Sequence, residues 1–321
     1  MYNLYGETFG FSGKEKKERK GDKMKSFQKI TTTLILTMII FLSIARVPAS
    51  ATRINVTKQE LEYFKAVSNK STASYYTVKL YLGSTQINEG AYLINDTTYI
   101  PLRAVSTVAG ASVAYDDKTR TAYITKSGLS MSVADGSYIV YANERPILSS
   151  SPAVILSDGR MYVPVRSIAK ALSLEVEWLP TRVVKLSGTV RPLAHADKFY
   201  AQDNLYWLSR IISAESQGEP LLGQIAVGNV VLNRVKHRDY PSTIYGVIFD
   251  TKYGVQFSPI TNGSIYKVPT YSAVLAAKIC LEGVSISDRI LFFMEPSKST
   301  SSWIYNNRPY AFTVENHYFF Y

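Results

Sequence analysis

The chain has 321 residues, 46% of them apolar and 12% aromatic, with a formal net charge of +11. That composition excludes a disordered or low-complexity chain and allows two packed domains. One Cys and three His exclude an internal disulfide and argue against a metal-stapled scaffold, so neither a metal site nor a cofactor is expected.

In chain order the first signal is residues 30–44 (ITTTLILTMIIFLSI), preceded by Lys23, Lys25 and Lys29 and followed by Ala49-Ser50-Ala51. A basic flank, a short apolar run and a small-x-small site predict a signal peptide over residues 1–51, with Met24 as an alternative start. The run is short of the roughly 20 apolar residues a spanning helix needs, so membrane contact is expected only through this segment. Residues 1–51 hold nine Lys/Arg and four Asp/Glu, and without them the charge falls to +6. A mild positive charge suits an anionic wall, whereas no dense Lys/Arg stripe with interleaved aromatics points to nucleic acid.

Residues 52–76 are polar and read as a leader. From 77 to 188 the pattern changes to alternating strands broken by turns, and it repeats at an offset of 63 residues. Tyr99-Ile100-Pro101-Leu102-Arg103 matches Tyr162-Val163-Pro164-Val165-Arg166, and Val113-Ala114-Tyr115 matches Val176-Glu177-Trp178. Each unit reads as a strand or hairpin (Val78–Leu82; Tyr138–Tyr141), a turn (Asn95-Asp96; Asp158-Gly159), a helix with proline in its first turn, and a final hairpin. Leu102, Val105, Val108 and Ala109 make one predicted inward face, and Val165, Ile168, Ala171 and Leu172 the other.

The segments YIPLRAVSTVAGASVAY and YVPVRSIAKALSLEVEW resemble the repeated pattern of the copper amine oxidase N-terminal-like domain. The resemblance implies an accessory module of secreted proteins. It does not imply copper, since no His lies in 77–188. Arg103 and Arg166 occupy equivalent positions; each either meets anionic wall polymers or pins its own helix to a nearby turn.

Residues 189–202 read as a linker and 203–321 as a second domain. Asp203 is a good N-cap for a helix from Asn204 to about Gln217, with Gly218 as its stop. Leu205, Leu208, Ile211, Ile212 and Glu215 fall on one stripe, so Glu215 faces inward. A carboxyl among apolar neighbours is pushed toward its neutral form and becomes a general acid of the kind glycosidic cleavage requires. Glu219-Pro220 opens a second helix, whose small residues Gly223, Ala226 and Gly228 allow close packing. At a helix N-terminus Glu219 is a candidate second carboxylate, kept ionised by the dipole, or a plain cap.

The run ISAESQGEPLLGQIAVGNVVLNRVKHRDYPSTIYGVIF resembles the SleB/CwlJ type of cell wall hydrolase, known from spore cortex-lytic enzymes, and the likeness continues through Gln256-Phe257-Ser258-Pro259, Leu291-Phe292-Phe293, Trp303 and Asn316-His317-Tyr318-Phe319. It implies Glu215 as the catalytic acid and cleavage between N-acetylmuramic acid and N-acetylglucosamine of peptidoglycan, as a lytic transglycosylase. A place in the cell wall or spore envelope is implied as well. Gln256, Phe257 and Ser258 are expected along the sugar groove, with Trp303 as a stacking face and His317 orienting a hydroxyl; each also has a plain structural reading. The chain departs from the family pattern at Met294-Glu295-Pro296, where Tyr-Asn-Pro is commoner, and at Val314-Glu315, where a glycine is usual.

A Cys280/His317 nucleophile pair is the enzymatic rival, weakened by apolar flanks that bury the thiol. The non-enzymatic alternative is a wall-binding or assembly protein. The expected fold class is α+β: a two-unit α+β accessory domain, then a mainly helical hydrolase domain with a small sheet from Leu291–Phe293 and Tyr310–Tyr321.

Overall fold

The computed structural model describes residues 75–252, 254–299 and 302–321. The predicted signal peptide, and the leader up to residue 74, lie outside them. Among the described residues no helix is long and apolar enough to cross a membrane.

The N-terminal half is mostly sheet. A seven-stranded sheet has the order β11-β12-β1-β2-β3-β10-β9 and a five-stranded one the order β4-β5-β6-β7-β8. The first contains β1 (Tyr75–Leu82), β2 (Thr85–Ile94), β3 (Thr97–Pro101), β9 (Val154–Ile155), β10 (Met161–Pro164), β11 (Glu175–Leu179) and β12 (Val183–Ser187). The second contains β4 (Ser112–Asp116), β5 (Thr121–Lys126), β6 (Leu129–Ala134), β7 (Ile139–Ala142) and β8 (Arg145–Leu148). Strand β1 starts at Tyr75, inside the segment expected to be leader. Asn95 and Asp96 close the β2–β3 hairpin with φ of 47° and 60°, the left-handed pair that two-residue hairpins need.

Strands β3 and β10 pair antiparallel with Tyr99 opposite Pro164, Ile100 opposite Val163 and Pro101 opposite Tyr162. Each continues directly into a helix, α1 (Leu102–Val108) and α2 (Val165–Ala171). The prolines are the last extended residues before these helices and not their first turn. Leu102, Val105, Ala109, Val165, Ile168, Ala171 and Leu172 are buried, but Val108 is 43% exposed. Two steps of three residues turn the helix by about 600°, about 120° short of two full turns, so Val108 leaves the stripe.

The C-terminal half is helical with a small sheet. It runs through α3 (Ala196–Phe199), α4 (Gln202–Ser216), α5 (Leu221–Lys236), α6 (Ile244–Ile248), α7 (Ser258–Asn262) and α8 (Tyr271–Leu281). Then come β13 (Phe292–Met294), α9 (Trp303–Asn307), β14 (Tyr310–Val314) and β15 (His317–Phe320), the three strands ordered β13-β15-β14. Helix α4 starts at Gln202 after Ala201, so Asp203 lies in its first turn rather than at the cap, where the dipole still favours its charge. Gly218 does not take the left-handed conformation. The helix stops instead because Pro220, with no N–H to donate, disfavours helical geometry at the residue before it.

Helices α4, α5 and α8 meet at Gly228. A Cβ there would lie 2.7 Å from Cys280 Sγ and 2.9 Å from Ile212 Cδ1, closer than packed carbons tolerate. Asn229 and Asn233 of α5 then hold the chain after α8. The Asn229 amide donates to the Val284 carbonyl at 2.9 Å and accepts from the Ile286 N–H at 2.8 Å. The Asn233 amide donates to the Ser287 and Ile290 carbonyls.

The segment expected as a linker is tied down at both ends. The Ala196 N–H donates to the Asn143 carbonyl at 3.0 Å, and the Asn143 amide donates to the Leu193 carbonyl at 2.7 Å. Glu282, just past α8, is the centre of this junction. Arg145 of β8 binds its carboxylate in two prongs at 2.7 and 2.9 Å, the Tyr200 hydroxyl donates at 2.7 Å, and Lys170 Nζ stands 3.0 Å away. Burial raises the Glu282 pKa, but the bonds from Arg145, Tyr200 and Lys170 outweigh it and hold the carboxyl below its ordinary value. The Arg145 guanidinium also lies 3.3 Å over the Phe199 ring. Ile139 of β7 completes the contact by packing into the helical core.

Two stability outcomes follow from these contacts. Arg145→Ala leaves the Glu282 carboxylate without its main partner, and thermal denaturation of the full chain should register a loss of about 3–5 kcal/mol. Gly228→Ala forces α5 away from α4 and α8; a loss of about 1–3 kcal/mol is expected, and an unchanged melting temperature would contradict the close approach.

Candidate active site

The site grows from the end of α4. Leu208, Ile211 and Ile212 are each 0% exposed, and Glu215 continues their stripe as a half-buried residue in the last turn. Burial alone pushes the Glu215 pKa up from 4.5 to about 7. Among the described residues no charge or hydrogen bond offsets it. The result is a carboxyl that keeps a substantial protonated fraction near neutrality, as a general acid needs.

Glu219 is treated differently. It lies one residue before Pro220, the N-cap of α5, and is 8% exposed. Its partner is the β14–β15 turn and not the helix end: the Asn316 side-chain amide donates to Oε1 at 3.1 Å and the Asn316 N–H to Oε2 at 3.4 Å. In that two-residue turn Glu315 has φ of 44°, a left-handed conformation that costs a side chain and suits glycine. This explains physically why a glycine is usual there in the family pattern.

The expected groove residues divide. Gln256 is half-buried and its amide donates to the Gly254 carbonyl at 3.0 Å. Ser258 is exposed at the start of α7. Phe257, expected to stack on a sugar, is 2% exposed. Its ring packs 6.5 Å from Phe293 and lies beneath the Arg234 guanidinium at 5.3 Å, so no face is left for a ligand. His317 is 3% exposed, with Nδ1 3.4 Å from Glu219 Oε1 and its ring 5.6 Å from Phe293. A buried imidazole in that position does not meet a substrate hydroxyl at the surface. Trp303 opens α9, is 52% exposed, and has the Arg308 guanidinium 5.1 Å from its ring.

Cys280 is 2% exposed and its thiol donates to the Ile225 carbonyl at 3.4 Å. Burial pushes its pKa up, which removes the nucleophile of the Cys280/His317 rival. Among the described residues no group of three or more His, Cys, Asp or Glu could hold a metal ion. Asn316 is the residue whose role the sequence did not reveal. It belongs to the resembling stretch near the C-terminus, but nothing local links it to an acid 97 positions away.

The raised pKa of Glu215 has a thermodynamic sign. The fold favours the neutral acid, so the native state holds a proton the unfolded chain has released, and stability falls as pH rises from about 4.5 to about 7. Glu215→Gln removes that loss. The variant should therefore exceed the wild type by about 2 kcal/mol at pH 8, discounted for partial solvation, and match it at pH 4; calorimetry across that range checks the crossover.

Comparison with known proteins returns two families. Residues 218–320 match the Cell Wall Hydrolase family and residues 79–185 the Copper amine oxidase N-terminal domain. The spore cortex-lytic enzyme of Bacillus cereus is 34% identical over 120 residues, covering 37% of this chain and 45% of that protein. The spore cortex-lytic enzyme of Bacillus subtilis is 30% identical over 120 residues, covering 37% and 38%. The chain thus spans less than half the length of these curated relatives. Among solved structures, the catalytic domain of the germination-specific lytic transglycosylase SleB from Bacillus anthracis is 34% identical with a TM-score of 0.35, covering 38% of this chain and 97% of that one. The chain carries a cell wall hydrolase domain in its C-terminal part, preceded by a copper amine oxidase N-terminal domain.

Proposed function

We propose that the chain cleaves peptidoglycan glycan strands between N-acetylmuramic acid and N-acetylglucosamine, as a lytic transglycosylase acting in spore cortex degradation. The observation that carries this reading is Glu215, an inward carboxyl whose pKa stands at about 7. The family match begins at residue 218, so the role of Glu215 rests on its own environment and on the resemblance of its flanking segment. Relatives named spore cortex-lytic enzymes support the substrate.

The steps need one carboxyl. Protonated Glu215 donates to the glycosidic oxygen as the bond to the anomeric carbon of the muramoyl residue breaks. The C6 hydroxyl of the same muramoyl residue then attacks that carbon, and the Glu215 carboxylate takes the hydroxyl proton. The products are a 1,6-anhydro-muramoyl end and a free hydroxyl on the leaving sugar, with the acid restored. Gln256, Ser258 and Trp303 remain as glycan contacts in this reading.

The reading extends to location and to the accessory domain. The protein is taken as exported, at the cell wall or spore envelope. Residues 77–188 are taken as two copies of one unit; the antiparallel pairing of the two pentapeptides about Ile100 and Val163 supports this. Arg103 and Arg166, both exposed, are the positions offered to anionic wall polymers.

Mass spectrometry of digested peptidoglycan, with wild type and Glu215→Gln, tests the proposal. Anhydro-muropeptides from the wild type, falling by about 100-fold or more in the variant, are the expected result. Reducing ends would make the chain a hydrolase. Wild-type protein that binds walls and releases nothing would favour the non-catalytic wall-binding alternative.

A further inference from the structure

One buried carboxylate joins the turn after α4 to the turn between β14 and β15. Both Glu219 oxygens accept from Asn316, and the Glu219 side chain is 6% exposed. Its backbone is held as well: its N–H donates to the Ser216 carbonyl at 2.9 Å, and the Gln224 amide donates to its carbonyl at 2.8 Å. Gly223 gives the acid room, since a Cβ there would stand 3.1 Å from Glu219 Cβ and 3.4 Å from Val314 Cγ1. Only Ser216, Gln217 and Gly218 separate this anchor from Glu215.

We infer that Glu219 is a positioning residue, clamping the end of the helix that carries Glu215 to the β14–β15 hairpin. This rests on the reading of Glu215 as the acid. A second catalytic carboxylate would have to reach the glycan, whereas Glu219 is buried and its oxygens face Asn316. It therefore acts through Glu215, by fixing the last turn of α4 so that the acid keeps its depth. Buried hydrogen bonds to a carboxyl group are costly to leave unmade, which gives the clamp its strength. The other charged or titratable groups around Glu219 are His317 at 3.4 Å, Lys298, whose charge Glu219 favours, Glu295, which pairs with Lys298 at 2.8 Å, and Glu315 in the same turn.

The test uses the full chain with Glu219→Ala, Glu219→Gln, Asn316→Ala and the double alanine variant. Expected is a loss in kcat for muropeptide release of about tenfold or more in each alanine variant with KM little changed, and no further loss in the double variant. The titration midpoint of Glu215, followed by carboxyl carbon NMR without substrate, should move down in all three. Glu219→Gln, which keeps one oxygen for the Asn316 amide, should recover part of the activity. Glu219→Ala as inactive as Glu215→Gln beside a fully active Asn316→Ala would overturn the clamp in favour of direct catalysis. A lower melting temperature with unchanged kcat and unchanged Glu215 midpoint would overturn it in favour of a stability role. Should the wild type release no muropeptide, the glycan-cleavage reading fails, and the NMR midpoints still decide the clamp.

Discussion

The approach of three helices at Gly228 is the contact on which the rest of the C-terminal domain depends. With no side chain at that position, Ile212 of α4 and Cys280 of α8 come to within van der Waals distance of the α5 backbone. Ile212 lies one turn before Glu215, so the same contact that closes the core sets the depth of the acid. A rise of about 1.5 Å per residue carries the stripe from Leu208 to Glu215 without leaving the buried face. The core on one side and the end of the helix on the other leave Glu215 partly dehydrated, and its raised pKa follows.

Three carboxylates show how much the surroundings decide. Glu282 is enclosed like a core residue, yet stays charged because Arg145, Tyr200 and Lys170 supply donors. Glu219 is buried and bonded by Asn316. Glu215 has burial and, among the described residues, no compensating donor, and it is driven toward neutrality. Desolvation acts on both Glu215 and Glu282, and hydrogen bonding to cations and a hydroxyl sets Glu282 apart.

The accessory sheets do not act as a loose tether. Arg145 of β8 and Lys170 of α2 belong to the accessory half, Glu282 to the helical domain, and Ile139 of β7 packs into the helical core. A buried guanidinium–carboxylate pair tolerates little displacement before an uncompensated charge is exposed to an apolar wall. The orientation of the sheets relative to α8 is therefore set by the carboxylate of the residue that ends that helix.

Much of this was legible in residue order, where the deciding forces are local. Helical spacing put Glu215 on the inward stripe, small residues announced the close packing of α5, and Asn95-Asp96 announced its hairpin. Asp203 lost its capping position because the helix starts at Gln202, one residue before it, and distant partners decided two others: Phe257 lies under Arg234, and His317 is buried against Glu219. Glu282 carried one signal that could have been read, since an acid beside a helix C-terminus opposes the dipole and needs a cation elsewhere. Periodicity and turn chemistry act over a few residues, so the sequence by itself determined most of the elements, their faces and the inward placement of Glu215. Which carboxylates are paired and which is left unpaired depends on side chains tens to more than a hundred positions apart, and only the tertiary structure decided that.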